Sequence, residues 1–324
     1  MDSILPVTLT LLAANAKQLA IGAALTSIVW FLEWIRPAGD DPGLKGRWHN
    51  IKVFGFLLFG LMLSTPLVNW CGQLIPAISL IERIVPSWQD KGLLGAIAAT
   101  AIYALVWDFF QYWTHRLEHR FAFLWLFHRA HHSDAQINAS TSLRQSVGGA
   151  LLGFWFAHIP TAIICGGNLL PYLGALVLFS GWGYFNHANL RVSLGPLTPW
   201  LSGPQWHRMH HGRDSRHHNS NYAAFFPFLD RLFGTYRRPG KDEWVETGIE
   251  DDTSPRGAFT QAFFPWLKQP RPLQPSPKPH SLQHRLALLR NFPVLAASRF
   301  RSAARGVPPK RRQQASHSTA DGPY

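Results

Sequence analysis

Two cysteines in 324 residues, Cys71 and Cys165, leave no sulfur framework to read. Iron–sulfur clusters and structural zinc–thiolate sites need grouped thiolates, and no C-x-x-C pair is present, so both are excluded. Two separate buried thiols are a simpler reading of the pair than a disulfide, which would need an oxidising compartment. Acidic residues are also scarce: 18 Asp and Glu stand against 31 Lys and Arg, a formal net charge of +13. Charged residues of both signs make up only 15% of the chain, while 47% is hydrophobic and 14 residues are Trp. That balance argues against two soluble domains and for one membrane domain with aromatic residues at its interfaces. The chain lacks a G-x-G-x-x-G dinucleotide fingerprint and any nucleic-acid-binding motif. Its positive charge follows loops and the C-terminal part. This suits a positive-inside bias and anionic lipid, and no nucleic-acid partner is expected.

Spanning a bilayer takes about 20 mostly apolar residues. Five stretches qualify as membrane-embedded, over about 19–35, 53–70, 93–113, 147–165 and 169–184, the last two short enough to form a hairpin. Lys and Arg sit in the loop after the first (Arg36, Lys45, Arg47, Lys52) and in the segment after the third (Arg116, Arg120, Arg129, Arg144). Everything after the fifth is strongly basic. The positive-inside rule places these segments in the cytoplasm. The expected organisation is N-terminal transmembrane helices over 1–92, a catalytic domain over 93–238, and a Pro/Arg-rich, largely disordered cytoplasmic tail over 239–324. Five prolines between 269 and 279 mark that tail, and 284–300 has the pattern of a basic amphipathic helix.

What is abundant is histidine, 16 in all, half of them in three short blocks: H-R-L-E-H (His115, His119), H-R-A-H-H (His128, His131, His132) and H-R-M-H-H (His207, His210, His211). A spacing of i, i+3, i+4 puts side chains on one face of a helix. Neutral imidazole is the commonest side-chain metal ligand. Eight imidazoles exceed the roughly four that one tetrahedral zinc takes, so the surplus points to two metal ions. All three blocks fall on the predicted cytoplasmic side. Asp108, Tyr112, His115 and His119 share one helical stripe, which makes Asp108 an expected acceptor for the free N–H of a liganding imidazole.

Glu118 completes H-x-x-E-H, the pattern of one class of zinc metalloproteases. Such a protease needs one zinc and has no use for two H-x-x-H-H blocks, so it is the minor alternative, with Glu118 read as solvated or ion-paired. A metal transporter would place its ligands near mid-bilayer rather than after membrane ends.

The segment from Trp107 to Tyr236 resembles the fatty acid hydroxylase/sterol desaturase superfamily of membrane-bound non-haem diiron enzymes. The resemblance rests on D-F-F-Q-Y-W-T-H-R-L-E-H, L-W-L-F-H-R-A-H-H-S, F-N-H-A-N-L-R, Q-W-H-R-M-H-H and N-Y followed by D-R-L-F-G-T-Y, in that order. It implies an all-α membrane protein of about four to five membrane-embedded helices with a cytosolic histidine-rich helical cap. It implies two iron ions, O2 as co-substrate, and hydroxylation of an unactivated C–H bond in a lipid or sterol-like substrate, with desaturation as the alternative on the same site. Two electrons would come from a ferredoxin or a b-type cytochrome with its reductase. By motif, the ligands are the eight histidines above with His187 and His217 added. Asp108, Asn189 and Asn221 are carried over as catalytic residues near the site, and Asn138, Arg144 and Asp230 as supports. The chain departs from many members at Gln145-Ser146, where a His-Pro pair is common, and at A-A-F-F-P-F-L-D after Asn221. Both positions are expected to line substrate entry.

Overall fold

A computed structural model of the chain describes residues 20, 23–73, 78–166, 179, 181–250 and 257–267, with the side chains of 65–73 left aside. Among them helices dominate, and strand pairing is limited to two isolated bridges. In chain order the helices are α1 (Ala23–Ile35), α2 (Gly43–Gln73), α3 (Leu80–Ile84), α4 (Gly92–Arg120), α5 (Ala122–His132), α6 (Val147–Cys165), α7 (181–187), α8 (Pro204–His210), α9 (Phe228–Leu232) and α10 (Ala258–Phe263).

Helix α4 has 29 residues. At 1.5 Å per residue it is about 44 Å long, against roughly 30 Å of bilayer hydrocarbon. Its length exceeds what a span needs, and its last turns carry His115 and His119. Phe121 then adopts extended backbone (φ −106°, ψ 121°) and breaks the helix, and α5 folds back against α4. Close approach of α6 depends on Gly148, where a Cβ would come within 2.3 Å of the Phe127 ring. Helix α6 is interrupted by a π-helical turn over Phe154–His158. Such turns widen a helix locally and recur at functional sites.

Two stretches, Trp88–Arg120 and Val147–Cys165, are long and apolar enough to cross a membrane. Only 28% and 17% of the residues in their most apolar windows are buried. Leu93, Leu94, Ile97 and Phe156 lie more than half exposed on them. A core helix of a soluble protein would bury such side chains, whereas a lipid-facing helix presents them outward. The chain is a membrane protein on this pattern. Of the five expected membrane-embedded stretches, these two are long and apolar enough among the described residues. The first expected stretch forms only the shorter α1, the second lies in the C-terminal part of α2, and 169–184 falls largely outside the described residues, as does the side chain of Cys71.

Contacts to the histidine region continue past 239. Gln205 Nε2 donates to the carbonyls of Gly240 and Glu243, and Arg208 Nε to that of Val245. Helix α10 packs on α2. Backbone carbonyls make most of these contacts, so the polar composition of the segment did not reveal them. Residues 268–324, with the expected amphipathic helix, lie outside the described residues.

One buried ion pair ties the N-terminal helices to the loops around the histidines. Glu33 on α1 pairs with Arg47 on α2, and both side chains are buried. The other oxygen of Glu33 accepts the N–H groups of Ala139 and Asn189, each at 2.7 Å. Arg47 also bonds Asp41 and stacks over the Trp30 ring. Removing one partner of a buried pair strands the other charge. Arg47→Met is expected to destabilise the protein by about 3–5 kcal/mol, read as a lowered unfolding midpoint in detergent, and Glu33→Gln/Arg47→Met to recover part of the loss.

Candidate metal centre

The spacing of each H-x-x-H-H block decides how its members divide. On a helix, residues i and i+4 point almost the same way, and i+3 lies on the other side of that direction. On α5, His128 and His132 therefore share one face and His131 diverges. On α8 and the residue after it, His207 and His211 share a face and His210 diverges. The helices meet so that one block gives two imidazoles to one group and one to the other, and the second block does the reverse. His115, His119, His128, His132 and His210 form one group; His131, His187, His207 and His211 form the other, with the ligand atoms of each group within 4.8 Å of one another. The groups adjoin, since the His132 and His211 rings stack at 4.3 Å between centroids.

Backbone carbonyls select the tautomers. His115 Nδ1–H donates to Tyr222 O at 2.8 Å, His210 Nδ1–H to Ser220 O at 2.8 Å, and His187 Nδ1–H to Gly183 O at 2.7 Å. Each Nε2 is then a bare lone pair. These lone pairs face other imidazole nitrogens: His115 Nε2 lies 3.0 Å from His128 Nε2, and His187 Nε2 lies 3.0 Å from both His131 Nε2 and His207 Nε2. His128 Nε2 is also 3.1 Å from His132 Nε2. His119 Nε2, His210 Nε2 and both nitrogens of His211 are buried without a hydrogen-bond partner. Unsatisfied buried polar atoms are costly and rare. Buried imidazole nitrogens that converge, several of them without a partner, fit a cation at each group.

Burial, with neighbouring imidazoles second, pushes His128, His131, His132, His207, His210 and His211 well below the usual histidine range. Burial brings His187 down to about 4. The rings are held in the neutral form that binds metal.

Two buried carboxylates organise the loop that carries the Tyr222 carbonyl. Asp230 accepts the N–H groups of Tyr222 and Ala223, and Asp108 those of Ala224, Phe225 and Phe226. Five consecutive amides are thus held by two side chains. Asp108 shares the expected stripe with His115, but it bonds this loop and not an imidazole. It acts on His115 through the Tyr222 carbonyl.

Asn189 and Asn221 also stand away from the imidazoles. Asn189 ties down the 39–40 loop through Gly39 N–H and the carbonyls of Gly39 and Asp40. Asn221 sits at φ 62°, a left-handed position that Asn tolerates, and bonds Trp206 O, Arg237 O and Arg237 N–H. Asn138 caps the 3-10 turn Ala139–Leu143. His217 is buried but belongs to neither histidine group. It sits on a separate 3-10 turn, Ser215–His217, behind Gly212. Glu118 is buried, not solvated, and its Oε2 lies 3.2 Å from His128 Nδ1.

A cavity of about 430 Å³ opens beside the centre. His128, Glu118 and Gln145 line its histidine end, and Leu61, Leu151 and Phe154 its apolar walls. His158, in the π-turn, also lines it and accepts a hydrogen bond from Trp107 Nε1 at 3.2 Å. The sequence flagged Gln145 only as a departure from a common pattern. The carbonyls of Tyr222, Ser220 and Gly183 have no side-chain signature and were not predicted.

The depressed histidines fix a pH dependence. Unfolded histidine takes up a proton near pH 6.5, while these seven stay neutral in the fold, so the unfolded state binds more protons below that pH. Stability of the metal-free protein should be flat above about pH 7.5 and fall steeply as pH drops through 6.5 toward 4. Thermal unfolding midpoints of chelator-treated protein across that range check this; a midpoint unchanged between pH 7.5 and 5 would contradict neutral burial.

Comparison with known proteins agrees with this centre. Residues 100–235 match the family model for fatty acid hydroxylase. An alkylglycerol monooxygenase from Danio rerio is 32% identical over 265 residues, 79% of this chain and 54% of that protein. The Homo sapiens alkylglycerol monooxygenase is 35% identical over 143 residues, 44% of this chain and 31% of its own. The ornithine lipid hydroxylase OlsE of Rhizobium tropici is 29% identical over 198 residues, 60% of this chain and 55% of its own. The chain thus spans about a third to about half of the length of these curated relatives. No solved structure matches it. The matched segment holds the eight histidines of the three blocks and His187, so the centre lies in the part of the chain that is similar to the fatty acid hydroxylase family.

Proposed function

We propose that this chain is a membrane-bound non-haem diiron oxygenase that hydroxylates an unactivated C–H bond of a lipid, using O2 and two external electrons. The observation that carries the reading is the pair of histidine groups, five and four imidazoles, beside a cavity walled by apolar residues of α2 and α6. Imidazole suits iron, and no thiolate competes. Two iron ions bound there supply O2 activation and the oxidising power for the C–H bond. His115, His119, His128, His132 and His210 hold one ion, and His131, His187, His207 and His211 the other. His217 is not in the proposed set, because it lies outside both groups.

The protein's own residues set ring orientation, substrate position and water exclusion. Carbonyls of Tyr222, Ser220 and Gly183 keep the Nδ1–H tautomers, and Glu118 Oε2 lies 3.2 Å from His128 Nδ1; such partners orient liganding imidazoles. The cavity takes a lipid chain from the bilayer and holds one C–H bond against the His128 end, with apolar walls that keep out water. The names of the relatives, monooxygenase and hydroxylase, favour hydroxylation over desaturation. The single-zinc protease reading is disfavoured, because Glu118 is engaged by His128 and the histidines form two groups. We place the site on the cytoplasmic side of a multi-pass protein. There a ferredoxin, or a b-type cytochrome with its reductase, delivers electrons to a basic face by electrostatic steering.

Membranes containing the protein, given an ether glycerolipid or an ornithine lipid with ¹⁸O2 and a reductant, should yield product carrying one ¹⁸O atom. Loss of partners that merely orient a metal ligand costs about 10–100-fold, so His131→Ala and His210→Ala should each lose at least about 100-fold. Product whose oxygen comes from water, or unchanged turnover in both variants, would overturn the reading.

A further inference from the structure

The segment 257–267 reads G-A-F-T-Q-A-F-F-P-W-L and carries no charged residue. Its helix, α10, is packed on one side. Gln261 and Ala262 are buried where α10 meets α2, and Gln261 Oε1 lies 3.0 Å from His49 Nε2. The other side is apolar and open: Phe259, Phe264, Trp266 and Leu267 are each at least 40% exposed. A contiguous apolar patch is rare on a surface that faces water, and marks a surface that binds something.

Two observations identify what covers this one. The first is its level. A Cβ on Gly60 of α2 would come within 2.5 Å of Val147 and 3.1 Å of Phe263, so both side chains press on the same glycine. Val147 opens α6, one of the two helices long and apolar enough to cross a membrane. Helix α10 therefore sits at the edge of the apolar layer, on the side where Gln145 meets His131. The second is continuity. The Phe259 ring meets Phe56 of α2 at 5.4 Å, and Phe59, Met62 and Leu63 carry the exposed apolar face onward along α2. On the other flank Phe264 meets Trp266 at 5.6 Å, Trp266 meets Phe127 at 5.7 Å, and Phe127 meets the exposed Phe123 at 5.4 Å. Cations border the patch: Lys52, one turn before Phe56, and Lys45 are both exposed on α2, with the exposed Trp48 between them. Aromatic rings beside Lys at the end of an apolar layer suit the boundary between lipid headgroups and water.

We propose that 257–267 is a membrane-interface anchor. Helix α10 lies along the bilayer surface on the histidine side, with Phe259, Phe264, Trp266 and Leu267 among the first acyl carbons and Lys52 at the phosphates. The partner is the lipid bilayer and not a second protein surface. An apolar face of this kind sinks about 5–10 Å into the headgroup boundary. The inference stands on the membrane pattern of the fold and does not depend on the proposed activity. Phe127, which Trp266 touches, also closes on Gly148, next to Gly149 in the cavity wall, so the anchor adjoins the cavity.

The test uses the full chain in vesicles of phosphatidylcholine with a minority of phosphatidylglycerol. Cys71→Ser/Cys165→Ser gives a background without thiols, and Phe264→Cys or Leu267→Cys then carries a nitroxide label. Leu94→Cys on the exposed face of α4 calibrates lipid, and Lys241→Cys in an exposed loop calibrates water. Power saturation reads collisions with O2, which concentrates in lipid, and with a water-soluble nickel chelate. Labels at positions 264 and 267 should collide more with O2 than with the chelate, as at position 94 and opposite to position 241. Hydroxyl-radical footprinting of wild type in the same vesicles needs no substitution: Phe259, Phe264 and Trp266 should be protected as fully as Phe156 on α6. Labels that favour the chelate, or oxidation of these rings in wild type, would overturn the anchor. Labels shielded from both reagents would overturn it too, because they would show a protein cover, from a second copy or from another part of this chain.

Discussion

His115 and His187 each aim a bare Nε2 lone pair at neighbouring buried imidazole nitrogens 3.0 Å away. The carbonyls that fix the Nδ1–H tautomers keep the rings from turning away. Protonation would occupy lone pairs, but burial opposes a charged ring and pushes His128, His207 and His211 well below the usual histidine range. A metal ion in each group would satisfy these lone pairs together. Much of the rest of the chain serves to hold that arrangement.

The holding is done by buried carboxylates. Asp108 and Asp230 take up the five amides of 222–226, and so place the carbonyl that orients His115. Glu33 takes up the amides of Ala139 and Asn189, and so joins α1 to two loops beside the centre. Glu118 faces His128. Each of the first three is a charge bound to backbone, where hydrogen bonds are about twice as strong as between neutral groups. The imidazoles themselves are neutral, so metal ions held by these two groups would keep their positive charge uncompensated by the ligands.

The histidine centre was legible because helix geometry turns spacing into direction. H-x-x-H-H at His128–His132 and His207–His211 states which rings share a face, and the structure sends them to two groups accordingly. His187 has no such spacing and was reached only through a resemblance, while His217, reached the same way, lies on a separate turn. Asp108 was placed on the right stripe and given the wrong partner, because backbone amides leave no mark in a sequence. The same blindness hid the contacts beyond 239, where Gln205 and Arg208 bind carbonyls of 240–245. The apolar stretches identified α4 and α6, whereas long helix α2 mixes Lys45, Arg47 and Lys52 with an apolar continuation that length and hydropathy alone describe less well.

The most direct test is to count metal ions in purified protein and in variants that each damage one group. Wild type should hold close to two irons per chain. His119→Ala, in the five-imidazole group, and His187→Ala, in the four-imidazole group, should each retain about one, with its nitrogen-ligated spectroscopic signature intact. A single ion in wild type, or loss of both ions from either variant in a protein that is otherwise folded, would contradict two distinct sites.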